Sequence, residues 1–423
     1  MSIDSLREWA RREQAELLAQ ASGRTVDLPL AYLRQQAHYA TPAGHALRSR
    51  KAAEAGYEPV LRILQKHAIS AADLADALDV DAALVAALLH GPFHAPLVLL
   101  DGEDAQIPDA TAQEAGRRNA IDVLRNARWG PSLRYYRPNG LQLDACIDDL
   151  VTVLAGAAAE RPPSAFPLDG IIFPKLELPQ QARWLDALLT RIEAELGLRR
   201  NTIRVQLLIE SAWAIINLPE LTQAMRYRLT GLIFGHVDYA SDIALPDISF
   251  QHPVADWARA QVVNVAGAFG VPAINGMTMN YPVSDAALSA SENRARILAR
   301  MKECFDDARH GIQLGMKGKW VGHPAQLFVT LLAYRLHHSS RGLQQEIKKI
   351  QLYQEAIVAQ EGVTVIDGVM SDRATDRHAR VRLREAVALG LLAPAEALAL
   401  DIISPTEAAA LPPFRQQSQP SPA

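Results

Sequence analysis

The chain has 423 residues, of which 49% are hydrophobic and 21% charged, and its 47 acidic and 43 basic side chains give a formal charge of −4. That composition suits a globular chain of one large domain with additions, or of two domains, and the absence of excess positive charge argues against nucleic acid as a partner. Only Cys146 and Cys304 are present, without CxxC spacing, so neither a disulfide framework nor a thiolate zinc site is indicated.

The opening "MSIDSLREWARREQ" is polar and helical in pattern, without the apolar region of a secretory signal, and no apolar run approaches a membrane span. A cytoplasmic protein with no membrane partner is expected. Residues 1–92 read as mainly helical; "SAADLADALDVDAALVAALL" lacks the Lys and Arg of a DNA-contacting helix and reads as a packing or interface element. Strand-like segments then recur: 95–104, 132–138, 168–175, 203–211, 229–238, 271–277 and 311–320. Helical patterns lie between them, clearest where Trp184, Leu185, Leu188, Leu189, Ile192 and Leu196 form one apolar stripe. This alternation predicts a parallel sheet, closed or open. Asp101, Glu103, Asp104, Arg137, Lys175, Glu210 and Asp238 fall at or just after strand C-termini, where barrel enzymes assemble their sites, so a TIM (β/α)8 barrel is expected. From about 326 onward the pattern is again helical, and residues 412–423 are expected to be disordered.

Glu210 ends "LLIES" and Asp238 ends "LIFGHVD". Neighbouring barrel strands would bring two such carboxylates within reach of one cation, and two carboxylates plus waters is a common way to hold Mg²⁺. The alternative reading is that each caps the helix that follows. Arg137, in "RYYRPNG", could grip a carboxylate or stabilise an enolate oxygen, or form a surface ion pair. "DGED" sets three acids in four residues, which calls for a nearby cation unless Asp104 turns to solvent.

Taken together, these residues resemble the citrate lyase beta subunit, malyl-CoA lyase and HpcH/HpaI aldolase superfamily, in the branch acting on CoA thioesters. The family's "DLEDAV" is similar to "LDGEDAQ" here, "vRvN" to "YYRPN", and "PKvE" to "FPKLE". Its "IEta.a..n..eI" is similar to "IESAWAIINLPEL", "fG..Dy..D" to "FGHVDYASD", and "GkwviHP.Q" to "GKWVGHPAQ". The six motifs stand in family order across about residues 95–326.

The resemblance implies that Glu210 and Asp238 are the ligands of magnesium, with manganese as the alternative ion, and that Arg137 contacts substrate. It places the backbone of Gly235, His236 and Val237 beside a 2-oxo acid, and Glu103 and Asp104 near the metal's waters and the arginine. Lys175 and His323 match motif positions in supporting roles. "VTVIDGVMSDRATDRHARVRL" is similar to the family's C-terminal "v.ldGkmvD.p...qA..il", which makes Asp372 the acid/base, delivered by a lid from a neighbouring subunit of a homo-oligomer, a trimer or hexamer. Read without the family, Asp372 is an ordinary helix N-cap. By the same resemblance, 39–56 forms the first barrel strand and helix and 57–92 an insertion in the N-terminal region; residues 93–330 form the barrel core and 331–411 the lid. Gly102 in place of the motif's leucine, Val369 in place of a basic residue, and the missing lysine after "DGED" depart from the pattern around the CoA pocket.

The implied activity is Mg²⁺-dependent cleavage or formation of a 3-hydroxyacyl-CoA, of malyl-CoA or citramalyl-CoA type, giving an acyl-CoA and a 2-oxo acid through an enolate. Two rivals are a CoA-independent aldolase of hydroxy-2-oxo acids, for which His94 is a poorly placed base, and a non-catalytic subunit that binds a CoA ester.

Overall fold

Short apolar runs buried on both faces need helices on the outside, and in the computed structural model eight of them meet this need by closing on themselves. Strands β1 (Ala37–Pro42), β2 (Leu97–Asp101), β3 (Leu133–Arg137), β4 (Gly170–Phe173), β5 (Arg204–Ile209), β6 (Leu229–Phe234), β7 (Ala273–Asn275) and β8 (Gly318–Val321) pair in chain order, and β8 returns to β1 in parallel. The result is a closed TIM barrel with helices around it. The structure describes residues 3–21, 25–54, 57–91, 94–104, 109–248, 251–359, 364–366 and 369–411; the tail at 412–423 lies outside the described residues.

The outer helices bury one stripe each. In Pro179–Glu195, Ala182, Leu185 and Leu189 are buried against the barrel, with Trp184, Leu188 and Ile192 packed beside them. The interior is filled by side chains such as Leu97, Leu99, Tyr135, Ile172, Leu208, Ile233 and Ile274, so the barrel is a core and not a channel. Among the described residues no helix is long and apolar enough to cross a membrane.

The first strand is followed by the helix Ala46–Glu54, and three further helices, Glu58–Lys66, Ala71–Leu78 and Ala82–His90, intervene before β2. Their Val60, Leu74, Leu78 and Val85 share a core with Ile297, Met301, Phe305 and Phe328 from the helices Ala290–Gln313 and Pro324–His337. Two expectations are corrected here. The segment 311–320 is not one strand: residues 311–313 close the helix Ala290–Gln313, Gly315 turns the chain at φ +96°, and β8 begins at Gly318. Apolar residues at a buried helix end and in a buried strand look alike over so short a span. The last barrel helix, Pro324–His337, also runs through the boundary expected at 330.

Beyond it, helices Ser340–Val358, Arg373–Ala388, Pro394–Ala399 and Pro405–Ala410 and a small antiparallel pair, β9 (Thr364–Ile366) and β10 (Val369–Ser371), form a C-terminal unit. Its Leu343, Ile347, Leu383 and Val387 pack with Leu30, which precedes β1, and Glu385 pairs at 2.8 Å with Lys317, which precedes β8. The unit therefore docks at the N-terminal end of its own barrel, away from the strand ends that carry the acids.

Candidate active site

A cavity of about 530 Å³ opens at the C-terminal ends of the strands, lined by Asp101, Asp104, Arg137, Glu210, Gly235, His236, Val237 and Asp238 among others. Glu210 directly follows β5 and Gly235 directly follows β6. These strands pair with Ile209 opposite Phe234, and the Gly235 amide donates to the Ile209 carbonyl at 2.9 Å. Asp238 sits inside the first turn of the helix His236–Asp242, so both carboxylates come from adjacent strand ends. Neither caps its following helix: Ser211 and Gly235 occupy those N-cap positions.

Glu210 is 4% exposed, and its Oε1 accepts the Lys175 amide at 3.0 Å. That amide is presented by a backbone in the left-handed region, φ +57° at Lys175, where a non-glycine residue is held only by its surroundings. Burial, then the charges of Asp238 and Glu103, push the Glu210 carboxyl up to about 8, with Arg137 and Lys175 offsetting part of the effect. Burial and Asp104 raise Asp238 as well.

Arg137 anchors the other side. Asp101 lies directly across the β2–β3 pair from it and takes a bidentate grip, Nε to Oδ1 at 2.7 Å and Nη2 to Oδ2 at 2.6 Å. Nη1 lies 3.0 Å from both Glu103 Oε2 and Asp104 Oδ2, and the guanidinium sits 5.0 Å from the centre of the Trp320 ring. Lys175 Nζ pairs with Glu103 Oε1 at 2.8 Å. Glu103 is buried, whereas half of the Asp104 side chain is exposed. Burial raises the Glu103 carboxyl too, against the pull of Arg137.

Five carboxylates thus stand against two cations in ion-pairing range, Arg137 and Lys175, and three of the acids are held above their ordinary range. Uncompensated negative charge of this kind fits a divalent cation. Among the described residues no group of three or more His, Cys, Asp or Glu side chains is arranged to hold a metal. Glu210 and Asp238 line one cavity and the charge of Asp238 acts on Glu210; two carboxylates are a donor set that suits a magnesium ion retaining waters.

The remaining expected residues fall elsewhere. His323 caps the helix Pro324–His337, its Nδ1 accepting the Ala325 amide at 3.2 Å, and lines a second cavity beside Tyr281. Asp372 caps the helix Arg373–Ala388 and lines no part of the cavity; its own chain does not bring it to the site. His94 lies before β2, at the opposite end of that strand from the site. The sequence reading treated Asp101 only as one acid of a cluster and did not single out Arg48, Tyr281 or Trp320, which line the cavity. Part of the signal for Asp101 lies in the sequence, since it and Arg137 each end one of two consecutive strand-like segments; the register that sets them opposite each other does not.

The second cavity, of about 520 Å³, shares Ala40, Thr41, Arg48, Tyr281 and Gly322 with the first and adds Lys51, Arg62 and His323. Among the described residues its lining contains basic side chains and no Asp or Glu. Pro59, Val60 and Arg62, from the helix Glu58–Lys66, form one wall.

A family model described as domain of unknown function (DUF6986) matches residues 145–414. The L-malyl-CoA/beta-methylmalyl-CoA lyase of Cereibacter sphaeroides is 30% identical over 310 residues, covering 69% of this chain and 87% of that protein. The lyase of the same name from Haloarcula marismortui is 27% identical over 293 residues, covering 69% and 76%. Among solved structures, a citrate lyase from Burkholderia xenovorans LB400 matches with a TM-score of 0.55 at 22% identity over 75% of this chain and 91% of that one. CitE from Mycobacterium tuberculosis, in complex with magnesium, acetoacetate and coenzyme A, matches with a TM-score of 0.50 at 19% identity over 84% and 98%. These two structures share the fold. On the extent of the family match and the identity to the malyl-CoA lyases, the chain belongs to the DUF6986 family within the HpcH/HpaI aldolase and citrate lyase beta subunit superfamily, and it is a carbon–carbon lyase of the CoA-ester lyase group.

Proposed function

We propose that the protein is a Mg²⁺-dependent lyase that cleaves or forms a 3-hydroxyacyl-CoA of malyl-CoA or citramalyl-CoA type, with an acyl-CoA and a 2-oxo acid as the other side of the reaction. The observation that carries this reading is the pair Glu210 and Asp238, set on adjacent strand ends in one cavity with Arg137 and an excess of negative charge. Magnesium or manganese held by these two carboxylates would supply Lewis acidity and a template for the oxygens of the 2-oxo acid. The backbone of Gly235, His236 and Val237 would lie beside that acid. Arg137, fixed by Asp101 on one edge, stabilises negative charge that develops on the thioester enolate oxygen. Glu103 and Asp104 hold the far side of Arg137 and, with Lys175, set the charge around the metal's waters. Asp372 of a neighbouring subunit protonates the enolate carbon in cleavage and removes that proton in condensation. This requires a homo-oligomer, a trimer or hexamer, and the docking of each C-terminal unit at the lower end of its own barrel is in keeping with a lid that serves a neighbour. The basic second cavity receives the phosphate-bearing arm of CoA, a use supported by its lack of acids and its shared wall with the site.

The test is to incubate the purified protein with Mg²⁺, glyoxylate or pyruvate, and a panel of acyl-CoAs, and to read new thioesters by mass spectrometry. Product from free hydroxy-2-oxo acids alone, with none from thioesters, would overturn it in favour of a CoA-independent aldolase; tight CoA-ester binding without turnover would leave only a binding subunit.

Three smaller effects are expected. A Cβ on Gly235 would lie 2.7 Å from Glu210 Cβ and 3.1 Å from its Oε2, so Gly235→Ala displaces the carboxylate and weakens Mg²⁺ binding by at least about tenfold, measured by calorimetric titration. Arg62→Ala, on the rim of the basic cavity, raises KM for the thioester by about three- to tenfold with little change in kcat, because a phosphate contact far from the reacting atoms contributes uniform binding. The third concerns pH. A carboxyl raised from 4.5 to about 8 by folding binds its proton more tightly folded than unfolded, so this group's contribution to stability falls as pH rises from 4.5 and levels off above 8. Metal-free protein therefore loses Tm relative to the Glu210→Gln variant across that window, and saturating Mg²⁺, which favours the ionised carboxylate, removes the loss.

A further inference from the structure

At the N-terminal end of the barrel, on the face away from the acidic site, a third cavity of about 510 Å³ is lined by Tyr32, Arg199, Arg200, Asn201, Arg204 and Tyr227, together with one threonine. Arg204 opens β5, Tyr32 precedes β1 and Tyr227 precedes β6, so three separate chain segments meet there. The nearby carboxylates are already engaged. Asp169 takes Arg134 at 2.9 and 3.2 Å, Asp186 takes the fully buried Arg228 at 2.6 Å, and Glu193 takes Arg228 at 2.7 Å and the Asn201 and Ile203 amides at 3.0 and 2.8 Å. Arg200 reaches Asp186 only at 3.7 Å, from a side chain that is 66% exposed. Among the described residues no carboxylate pairs with Arg199 or Arg204.

Arg228 is fully buried and therefore paired, whereas the arginines of this cavity reach solvent and, apart from the 3.7 Å contact of Arg200, have no carboxylate partner among the described residues. Arg204 is instead held in place by neutral groups: Nη1 donates to the Tyr227 carbonyl at 3.0 Å, and the guanidinium lies 6.0 Å from the centre of the Tyr32 ring. The Tyr32 hydroxyl donates to the Asp169 carbonyl at 3.4 Å, and burial, followed by Asp169, pushes its pKa up to about 12, so it offers a neutral, fixed ring. Tyr227 is 62% exposed, and the Arg226 guanidinium lies over its ring, 4.4 Å from the centre, leaving the other face open to a base.

Guanidinium groups without a close carboxylate suit phosphate oxygens, and flat side chains suit a base. We propose that this cavity is a nucleotide-binding site, in which Arg199, Arg200 and Arg204 hold the phosphates and Tyr32 and Tyr227 flank the base. The site is separate from the thioester cavity and does not depend on the activity proposed above.

The test is calorimetric titration of the full chain with ADP, inorganic pyrophosphate and adenosine. ADP is expected to bind at least about tenfold more tightly than either fragment, and Arg199→Ala, Arg204→Gln and Tyr227→Ala are each expected to weaken it by about tenfold. ADP is also the end group of CoA, so the titration is fitted to two sites: Arg62→Ala weakens the one in the other basic cavity and leaves the one here unchanged. Tyr227→Ala guards against loss of fold, because its ring is exposed. Failure of ADP to bind, equal affinity for pyrophosphate and ADP, or ADP binding that responds to Arg62→Ala and not to Arg199→Ala or Tyr227→Ala would overturn the proposal.

Discussion

Asp238→Ala is expected to lower thioester cleavage by on the order of 10³-fold with Mg²⁺ present, and to remove most of the Mg²⁺ binding heat while leaving the fold intact. The size follows from what the carboxylate would do. Two protein oxygens and a retained hydration shell leave little redundancy, so deleting one ligand removes half of the protein's direct hold on the ion. Asp238 is half-buried and stands in the first turn of a helix that has Gly235 as its N-cap, so its loss opens no cavity in the barrel and leaves the cap in place. It also relieves repulsion, since the charge of Asp238 helps to raise the Glu210 carboxyl, and Asp104 in turn raises Asp238. The metal-free variant is therefore expected to melt at or above the wild-type temperature, which separates a lost ligand from a damaged fold. Wild-type turnover by Asp238→Ala with Mg²⁺ would sink the metal assignment.

How far the sequence revealed this site depended on distance along the chain. Glu210 and Asp238 were legible because Glu210 directly follows a continuous apolar run and Asp238 lies four residues beyond the end of another, in the turn that leaves the strand. The barrel was legible for the same reason, from the recurrence of such runs. The Asp101–Arg137 grip was not singled out, because it depends on the register between two strands, and composition within either segment does not report register. The start of β8 was misplaced because Gly311 and Ile312 belong to a buried helix end that looks like a strand. The role of the C-terminal unit needed packing information: Leu383 and Val387 form an ordinary apolar helix stripe, and only their contact with Leu30 and the Lys317–Glu385 pair put that unit at the lower end of the barrel. The Lys175 backbone, strained to aim its amide at Glu210, has no sequence mark beyond a lysine after a proline.

On the proposed mechanism, Asp372→Asn isolates the proton-transfer step. Its Oδ1 accepts the Ala374 and Thr375 amides at 2.9 and 3.1 Å, and its own amide donates to Thr375 Oγ1 at 2.8 Å. Asparagine caps a helix about as well as aspartate, so stability is expected to change by well under about 1 kcal/mol. Exchange of the acyl-CoA α-hydrogens into D₂O, followed by NMR, is expected to fall by about 10²- to 10⁴-fold, the range for loss of a positioned general acid/base. Binding of the 2-oxo acid should remain, because Glu210, Asp238 and Arg137 are untouched. The same variant tests delivery from a neighbour. If Asp372 serves another subunit, mixing inactive Asp372→Asn and Asp238→Ala proteins under conditions that exchange subunits restores activity, since some sites then combine an intact metal pair with an intact lid. Exchange at the wild-type rate in Asp372→Asn would remove this residue from the chemistry, and an inactive mixture after proven subunit exchange would place its action within its own chain.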